Sequence, residues 1–218
     1  MALAIFDLDN TLIAGDSDHA WGDFLVEQNI VNKDEYQQAN DKFLKDYQSG
    51  QLNIFEYLDF ALKPLAENKL EDLIKLRNTF FEQKIAPILL PKGFDLLEMH
   101  RQKGDFLLII TATNRFVTEL IADALQVDDL IATEPERNKS GFTGKVEGTP
   151  SFKEGKIKRL NHWLESQPHS LEGAYFYSDS HNDLPLLELV QHPVAVDPDD
   201  ILRQVSASKQ WPIMSLRN

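Results

Sequence analysis

Leu3-Ala4-Ile5-Phe6-Asp7-Leu8-Asp9-Asn10-Thr11 begins with four apolar residues and runs into two carboxylates two positions apart. A short apolar run of this kind reads as a strand buried on both faces. Like charges that close are tolerable only when a cation, a proton or hydrogen bonds neutralise them. The end of the first strand is therefore a candidate for chemistry, and the rest of the chain is read against it.

Two more apolar runs follow, Asp105-Phe106-Leu107-Leu108-Ile109-Ile110-Thr111 and Ala174-Tyr175-Phe176-Tyr177-Ser178. Shorter strands are expected at Leu130-Ile131-Ala132 and, as the last of the sheet, at Val194-Ala195-Val196. Helical patterns separate them at 94–102, 115–125, 151–165 and 184–190, with Ser151 and Glu154 forming a capping box for the third. Strands alternating with helices predict an α/β fold, a parallel sheet with helices on both faces. Asn138-Lys139-Ser140-Gly141 and Thr143-Gly144 read as hairpin turns, and Trp211 as an anchor for the tail.

Between residues 15 and 90 the strand signal disappears. Trp21, Phe24 and Leu25 recur at helical spacing and read as core. Asn32 with Glu35, Asn53 with Glu56 and Asn68 with Glu71 each resemble a helix-opening capping box. Gly50, Pro64 and Pro87 supply the stops. The segment reads as an all-helical insert at 15–90, dividing a core formed by 1–14 and 91–218.

Composition sets limits. A chain of 218 residues with 42% hydrophobic and 26% charged residues suits one sizeable core plus a smaller subdomain. It contains no cysteine, which excludes disulfides and thiolate chemistry. No leader or membrane span is expected, so a cytoplasmic location follows. The net charge of −13 disfavours nucleic acid as a partner, and any anion site must carry its own local positive charge.

In parallel α/β folds ligands bind beyond the carboxyl ends of the strands. Those ends carry Asp7 and Asp9, then Thr111, then Asp179 with Asn182 and Asp183 just beyond. A lysine from the preceding helix, Lys156 or Lys153, leans over the same edge. Carboxylates, a hydroxyl and an ammonium suit a hard divalent cation such as Mg²⁺ and a phosphoryl group. Asp7 then serves as nucleophile, while Asp9 protonates the departing alkoxide and afterwards activates the water.

With these residues the chain resembles the haloacid dehalogenase superfamily, in its phosphoserine-phosphatase-like group with a small helical cap. The first motif matches Asp7-Leu8-Asp9-Asn10-Thr11, the second Thr111, and the fourth Asp179-Ser180-His181-Asn182-Asp183. The resemblance extends to Tyr177-Ser178, to His192-Pro193-Val194-Ala195-Val196 and to Trp211-Pro212. It implies a Rossmann-like core, a Mg²⁺-dependent phosphatase and an aspartyl-phosphate on Asp7. The implied metal ligands are Asp7, Asp9 through its backbone carbonyl, and Asp179, with Asn182 and Asp183 in support. The third-motif lysine is Lys156 by spacing, with Lys153 the alternative. Thr111, the lysine and Asn10 are the phosphate contacts, and Asp16, Asn114 and Arg115 the candidate substrate contacts. His181 falls where the family tends to have a small residue and is expected at the surface; His19 and His192 read as bystanders. Asp183 is also expected to cap the following helix.

Substrate choice falls to the insert. Asp16 stands where phosphoserine phosphatases place an acid that meets the substrate amine. The serine carboxylate needs a basic partner, yet Arg77 is the insert's only arginine, leaving Arg115 as a substitute. A cap rich in carboxylates suits a cationic leaving group with no carboxylate. Histidinol phosphate, with an amine and an imidazole, therefore ranks slightly ahead of phosphoserine. A phosphotransferase or mutase, and a non-catalytic binding protein, are the other readings.

Overall fold

Alternate residues of β1 (Leu3–Phe6) enter two different cores, as the uninterrupted apolar run requires. Ala4 and Phe6 join one cluster, Leu3 and Ile5 the other. β2 (Phe106–Asn114) repeats the division with Leu107 and Ile109 against Leu108 and Ile110. The computed structural model describes residues 2–217. The remaining strands are β3 (Asp129–Asn138), β4 (Gly141–Glu147), β5 (Tyr175–Ser178), β6 (His192–Val196) and β7 (Ile213–Met214). Their order across the sheet is β4-β3-β2-β1-β5-β6-β7. Every neighbouring pair is parallel except β3 with β4.

Between β1 and β2 the chain is helical: α1 (Ser17–Glu27), α2 (Lys33–Gln48), α3 (Ile54–Ala61), α4 (Lys63–Glu67) and α5 (Leu70–Phe80). A π turn over Phe81–Ile85 and a 3-10 turn over Ala86–Ile88 lead into α6 (Pro91–Gln102). Trp21, Phe24 and Phe80 from this stretch enter the same cluster as Phe6 and Ile109 of the sheet. α6 and α7 (Arg115–Leu125) cover that face. α8 (Glu154–Leu164), α9 (Leu184–Leu187) and α10 (Asp200–Lys209) cover the opposite one. No helix among the described residues is long and apolar enough to cross a membrane.

Several local expectations are corrected. Asn32 and Asn53 do cap α2 and α3, but Asn68 opens no helix; it stands at the C-cap of α4, where its amide donates to Pro64 O at 2.8 Å, and α5 opens at Leu70. Pro64 sits in the first turn of α4 instead of ending a helix. Ser151 is no cap either, because its N–H is drawn to Thr133 Oγ1 at 3.0 Å and α8 begins only at Glu154. At Ser151 a tertiary partner outcompetes the local pattern, and at Asn68 the end of the preceding helix does. The hairpin turns once, between Asn138 and Gly141, and Thr143-Gly144 lies inside β4. β6 is not the last strand, since β7 pairs with it beyond Trp211.

The face under β1 contains one polar knot. His100 is fully buried, with Nδ1 2.9 Å from Asp105 Oδ2 and Nε2 2.8 Å from the Tyr177 hydroxyl. A neutral ring satisfies both, donating from Nδ1 and accepting on Nε2. Burial holds its pKa below the usual 6.5. The unfolded chain takes up a proton at higher pH than the folded one, so the ring's contribution is complete above that pH and is lost as pH falls. His100→Gln is expected to cost about 1–3 kcal/mol at neutral pH. The gap from the parent should shrink on going from about pH 7.5 to about pH 5. Urea denaturation at both pH values checks this, and a gap that widens on acidification contradicts it.

Candidate active site

The strand ends converge through backbone as well as side-chain bonds. The Asp7 N–H donates to Tyr177 O at 2.8 Å, drawing the first acid against β5. Thr11, fully buried, donates its hydroxyl to Asp179 Oδ1 at 3.2 Å and accepts the Asp179 N–H at 3.1 Å. Asp9 is held from two sides. Its Oδ1 accepts the Ser17 N–H at 2.6 Å, at the start of α1, and its Oδ2 accepts Thr113 Oγ1 at 2.8 Å and Thr111 Oγ1 at 3.4 Å.

Lys156 reaches into this cluster from the first turns of α8. Its Nζ lies 2.7 Å from Asp7 Oδ1 and 2.8 Å from Asp183 Oδ2, and all three side chains are buried. Burial alone would lower the lysine pKa, but Asp183 and Asp7 outweigh it and keep the ammonium charged. Asp7 is pushed up to about 7, first by burial and then by Asp183 and Asp9, against the pull of Lys156. Asp179 is driven well above the usual carboxylate range by burial, Asp7 and Asp183. Ser178 Oγ adds a 2.8 Å bond to Asp183 Oδ2, which fixes the lysine's second partner.

One cavity joins these groups to the insert. Asp7, Asp9, Asn10, Thr111, Thr113 and Asp179 line it at the sheet. Asp16, Asp18, His19 and Asn40 face it from the insert, over an apolar wall of Phe43, Tyr47, Tyr57 and Phe152. Among the described residues, neither lysine nor arginine lines it. Asp16 caps α1, accepting the Asp18 and His19 N–H groups at 2.9 Å each, and is pushed up to about 6 by burial and then by Asp9. Asp18 is pushed up to about 8 by burial and then by Asp16, with a Tyr57 hydroxyl bond opposing.

The other candidates are distributed as follows. Lys153 points away, donating to Gly50 O at 2.8 Å. Asn182 donates to Tyr47 O at 3.0 Å, and its own carbonyl oxygen has no partner among the described residues. Asn114 is buried as the cap of α7, and Arg115 is committed to Glu134 at 2.8 Å and to Leu130 O at 2.6 Å; neither lines the cavity. Arg77 is likewise spent on Phe116 O and Glu119. Asp183 makes no capping bond to α9, since the lysine and Ser178 occupy its oxygens. His181 is not a surface residue, because Asp199 Oδ2 takes its Nδ1 at 2.8 Å and Gly50 packs over its ring. His19 is no bystander: it lines the cavity, with Nε2 3.1 Å from Asp41. Asp18 and Thr113 are not singled out by the sequence pattern. The position of Asp18, two residues after Asp16 at the start of a helix facing the strand ends, was the only available signal.

The donor set suits a hard cation. Buried carboxylates outnumber the Lys156 ammonium, and the donors at the strand ends, Asp7, Asp9, Thr111 and Asp179, are oxygen. No three His, Cys, Asp or Glu side chains among the described residues converge closely enough to hold a metal unaided. A site built from Asp7, Asp179 and a backbone carbonyl needs only two such side chains.

The haloacid dehalogenase-like hydrolase family model matches residues 4–188. A protein of Neisseria meningitidis named histidinol-phosphatase is 43% identical over 99% of both chains. A protein of unknown function from Bordetella pertussis superposes with a TM-score of 0.93 at 40% identity, over 99% of each chain. A substrate-bound phosphoserine phosphatase superposes with a TM-score of 0.72 at 17% identity, over 99% of this chain and 93% of that one, a likeness of fold.

Ionised Asp179 is a burden on the metal-free protein, because a carboxyl with a raised folded pKa loses stability as pH climbs through that value. At about pH 8, without divalent cation, Asp179→Asn is expected to melt no lower than the parent. Adding Mg²⁺ should raise the melting temperature of the parent and leave the variant unmoved. Equal Mg²⁺ shifts in scanning calorimetry would remove Asp179 from the cation site.

Proposed function

The chain belongs to the haloacid dehalogenase-like hydrolases and is a phosphatase, and from that premise we propose a Mg²⁺-dependent enzyme for small amine-bearing phosphate esters, histidinol phosphate first. The observation that carries the substrate reading is the charge of the cavity. Phosphoryl-handling groups line it from the strand ends, Asp16 and Asp18 line it from the helical segment, and among the described residues no lysine or arginine lines it.

Asp7 is the proposed nucleophile, its carboxylate forming the phosphoenzyme. Lys156, braced by Asp183, takes phosphoryl oxygens, as do the Thr111 hydroxyl and the loop at Asn10. Asp9, held by Ser17 and Thr113, donates a proton to the leaving oxygen and then removes one from the hydrolytic water. A bound Mg²⁺ supplies neutralisation of the acidic cluster and of the phosphate's own charge. Residues 15–90 act as a cap over the leaving group.

Phosphoserine fits this cavity less well. Its carboxylate would meet Asp16 and Asp18 with Arg77 and Arg115 both engaged elsewhere. Histidinol phosphate offers an ammonium and an imidazole to the same acids. The name carried by the 43% identical relative supports this order.

With Mg²⁺ present, kcat/KM for histidinol phosphate is expected to exceed that for phosphoserine at least tenfold, about 1.4 kcal/mol of discrimination. A tenfold preference for phosphoserine ends the reading. Asp18→Asn is expected to lower kcat/KM for histidinol phosphate about tenfold or more by removing a carboxyl that a cationic leaving group would draw into its ionised form. Steady-state kinetics that show no change in this variant would take Asp18 out of substrate recognition.

A further inference from the structure

The tail of the chain returns to the first motif. β7 pairs with β6, and Leu216 then sinks into the main core. The Leu216 N–H donates to Asp197 Oδ2 at 3.0 Å, and Lys92 Nζ fixes Arg217 O at 2.9 Å. This leaves the Arg217 guanidinium beside Asn10. Its Nη2 donates to Asn10 O at 3.1 Å and to Asn10 Oδ1 at 3.3 Å, while Nη1 lies 3.6 Å from Asp197 Oδ2.

Both loops that meet the guanidinium contain a left-handed residue that is not glycine. Asn10 has φ 56° and Asp197 has φ 43°. Asn and Asp adopt this conformation more readily than other side chains, and its residual cost is offset by the contacts around it. Asn10 lines the cavity and directly follows Asp9. The loop at Asp197 continues to Asp199, whose N–H donates to Asp179 O at 2.9 Å and whose carboxylate accepts the His181 N–H at 2.7 Å. One side chain thus ties the loop behind Asp9 to the loop that braces Asp179.

We infer that Arg217 is a positioning residue: its forked guanidinium holds Asn10 in the left-handed conformation and so aims Asp9 at the leaving oxygen. This rests on the assignment of Asp7 and Asp9 made above. The planar fork suits the task, because the carbonyl and side-chain oxygens of Asn10 and the Asp197 carboxylate are engaged at once. A lysine offers a single point charge in its place.

The test uses full-length protein, Mg²⁺ and p-nitrophenyl phosphate, which frees it from the choice of natural ester. Arg217→Ala is expected to lower kcat about tenfold with KM changed less than about threefold, since misaimed chemistry costs rate more than binding. About 20 mM guanidinium chloride should restore much of the lost kcat, and Arg217→Lys should recover part of it. A tail that merely stabilised the fold would lower the melting temperature and leave kcat of the folded protein intact. An Arg217→Ala kcat within twofold of the parent overturns the inference, as does a loss that neither guanidinium nor lysine relieves. Asp7→Asn run in parallel separates the two readings: if it keeps its activity, the site assignment itself fails, whatever Arg217→Ala does.

Discussion

A single buried ammonium holds the acidic centre together. The Lys156 side chain is 3% exposed and lies between Asp7 and Asp183, at 6% and 3%. Taking three charges out of water is costly, and only close, hydrogen-bonded geometry offsets the penalty. That geometry is assembled from far apart in the chain: β1 supplies one acid, the loop after β5 the other, and α8 the lysine. The start of α8 is shaped for it. Lys153 adopts φ 48°, and a Cβ on Gly155 would lie 2.0 Å from Pro150 O, so only glycine lets the helix begin so close to the preceding loop. Lys156 then follows one residue later, inside the first turns, where it can reach both acids.

The legible part of this arrangement is the part encoded in local runs. β1, β2 and β5 are short apolar stretches whose polar terminators are adjacent in sequence, so the acids at their ends could be placed before any contact was known. Parallel pairing then brought Asp7, Thr111 and Asp179 to one edge. What was lost depended on partners distant in sequence. Ser151 carries the pattern of a cap, but Thr133 claims its N–H. His181 looked solvent-facing until Asp199 and Gly50 closed over it. Arg115 looked free to meet a substrate, whereas Glu134 and Leu130 fix it on the far side of β3. No local pattern announces that the residue at position 217 will touch the residue at position 10.

The helical segment between β1 and β2 is fastened to the sheet in two chemically different ways. On one side it shares the main core: Trp21 meets Phe80 edge-on at 5.2 Å and Phe116 of α7 at 6.0 Å, with Arg77 over the Phe116 ring at 4.7 Å. On the other side the end of α2 is held by polar bonds, Lys153 to Gly50 O and Asn182 to Tyr47 O, beside Tyr47 and Phe152. Apolar burial contributes roughly 25 cal/mol per Å² and is continuous, whereas each polar bond nets about 1 kcal/mol and can exchange with water. The aromatic side is the firmer of the two, and the cavity lies under the other.

Charge along the cavity explains how a protein of net charge −13 can receive a phosphate ester at all. Long-range repulsion acts on the whole ligand, but within a Debye length of about 8 Å local charges decide the outcome. The principal charged neighbour of Asp16 is Asp9, and that of Asp18 is Asp16, so three acids follow one another from the motif into the insert. A simple anion meets only opposition along that line. Under the proposed function, an ester carrying its anion at one end and protonated nitrogen at the other would be oriented by it, the cation drawn toward Asp16 and Asp18 and the phosphate toward Lys156 and the proposed cation site. Under the proposed function, the acidic surplus that repels free phosphate therefore also favours departure of the phosphate product once the cationic alcohol has left.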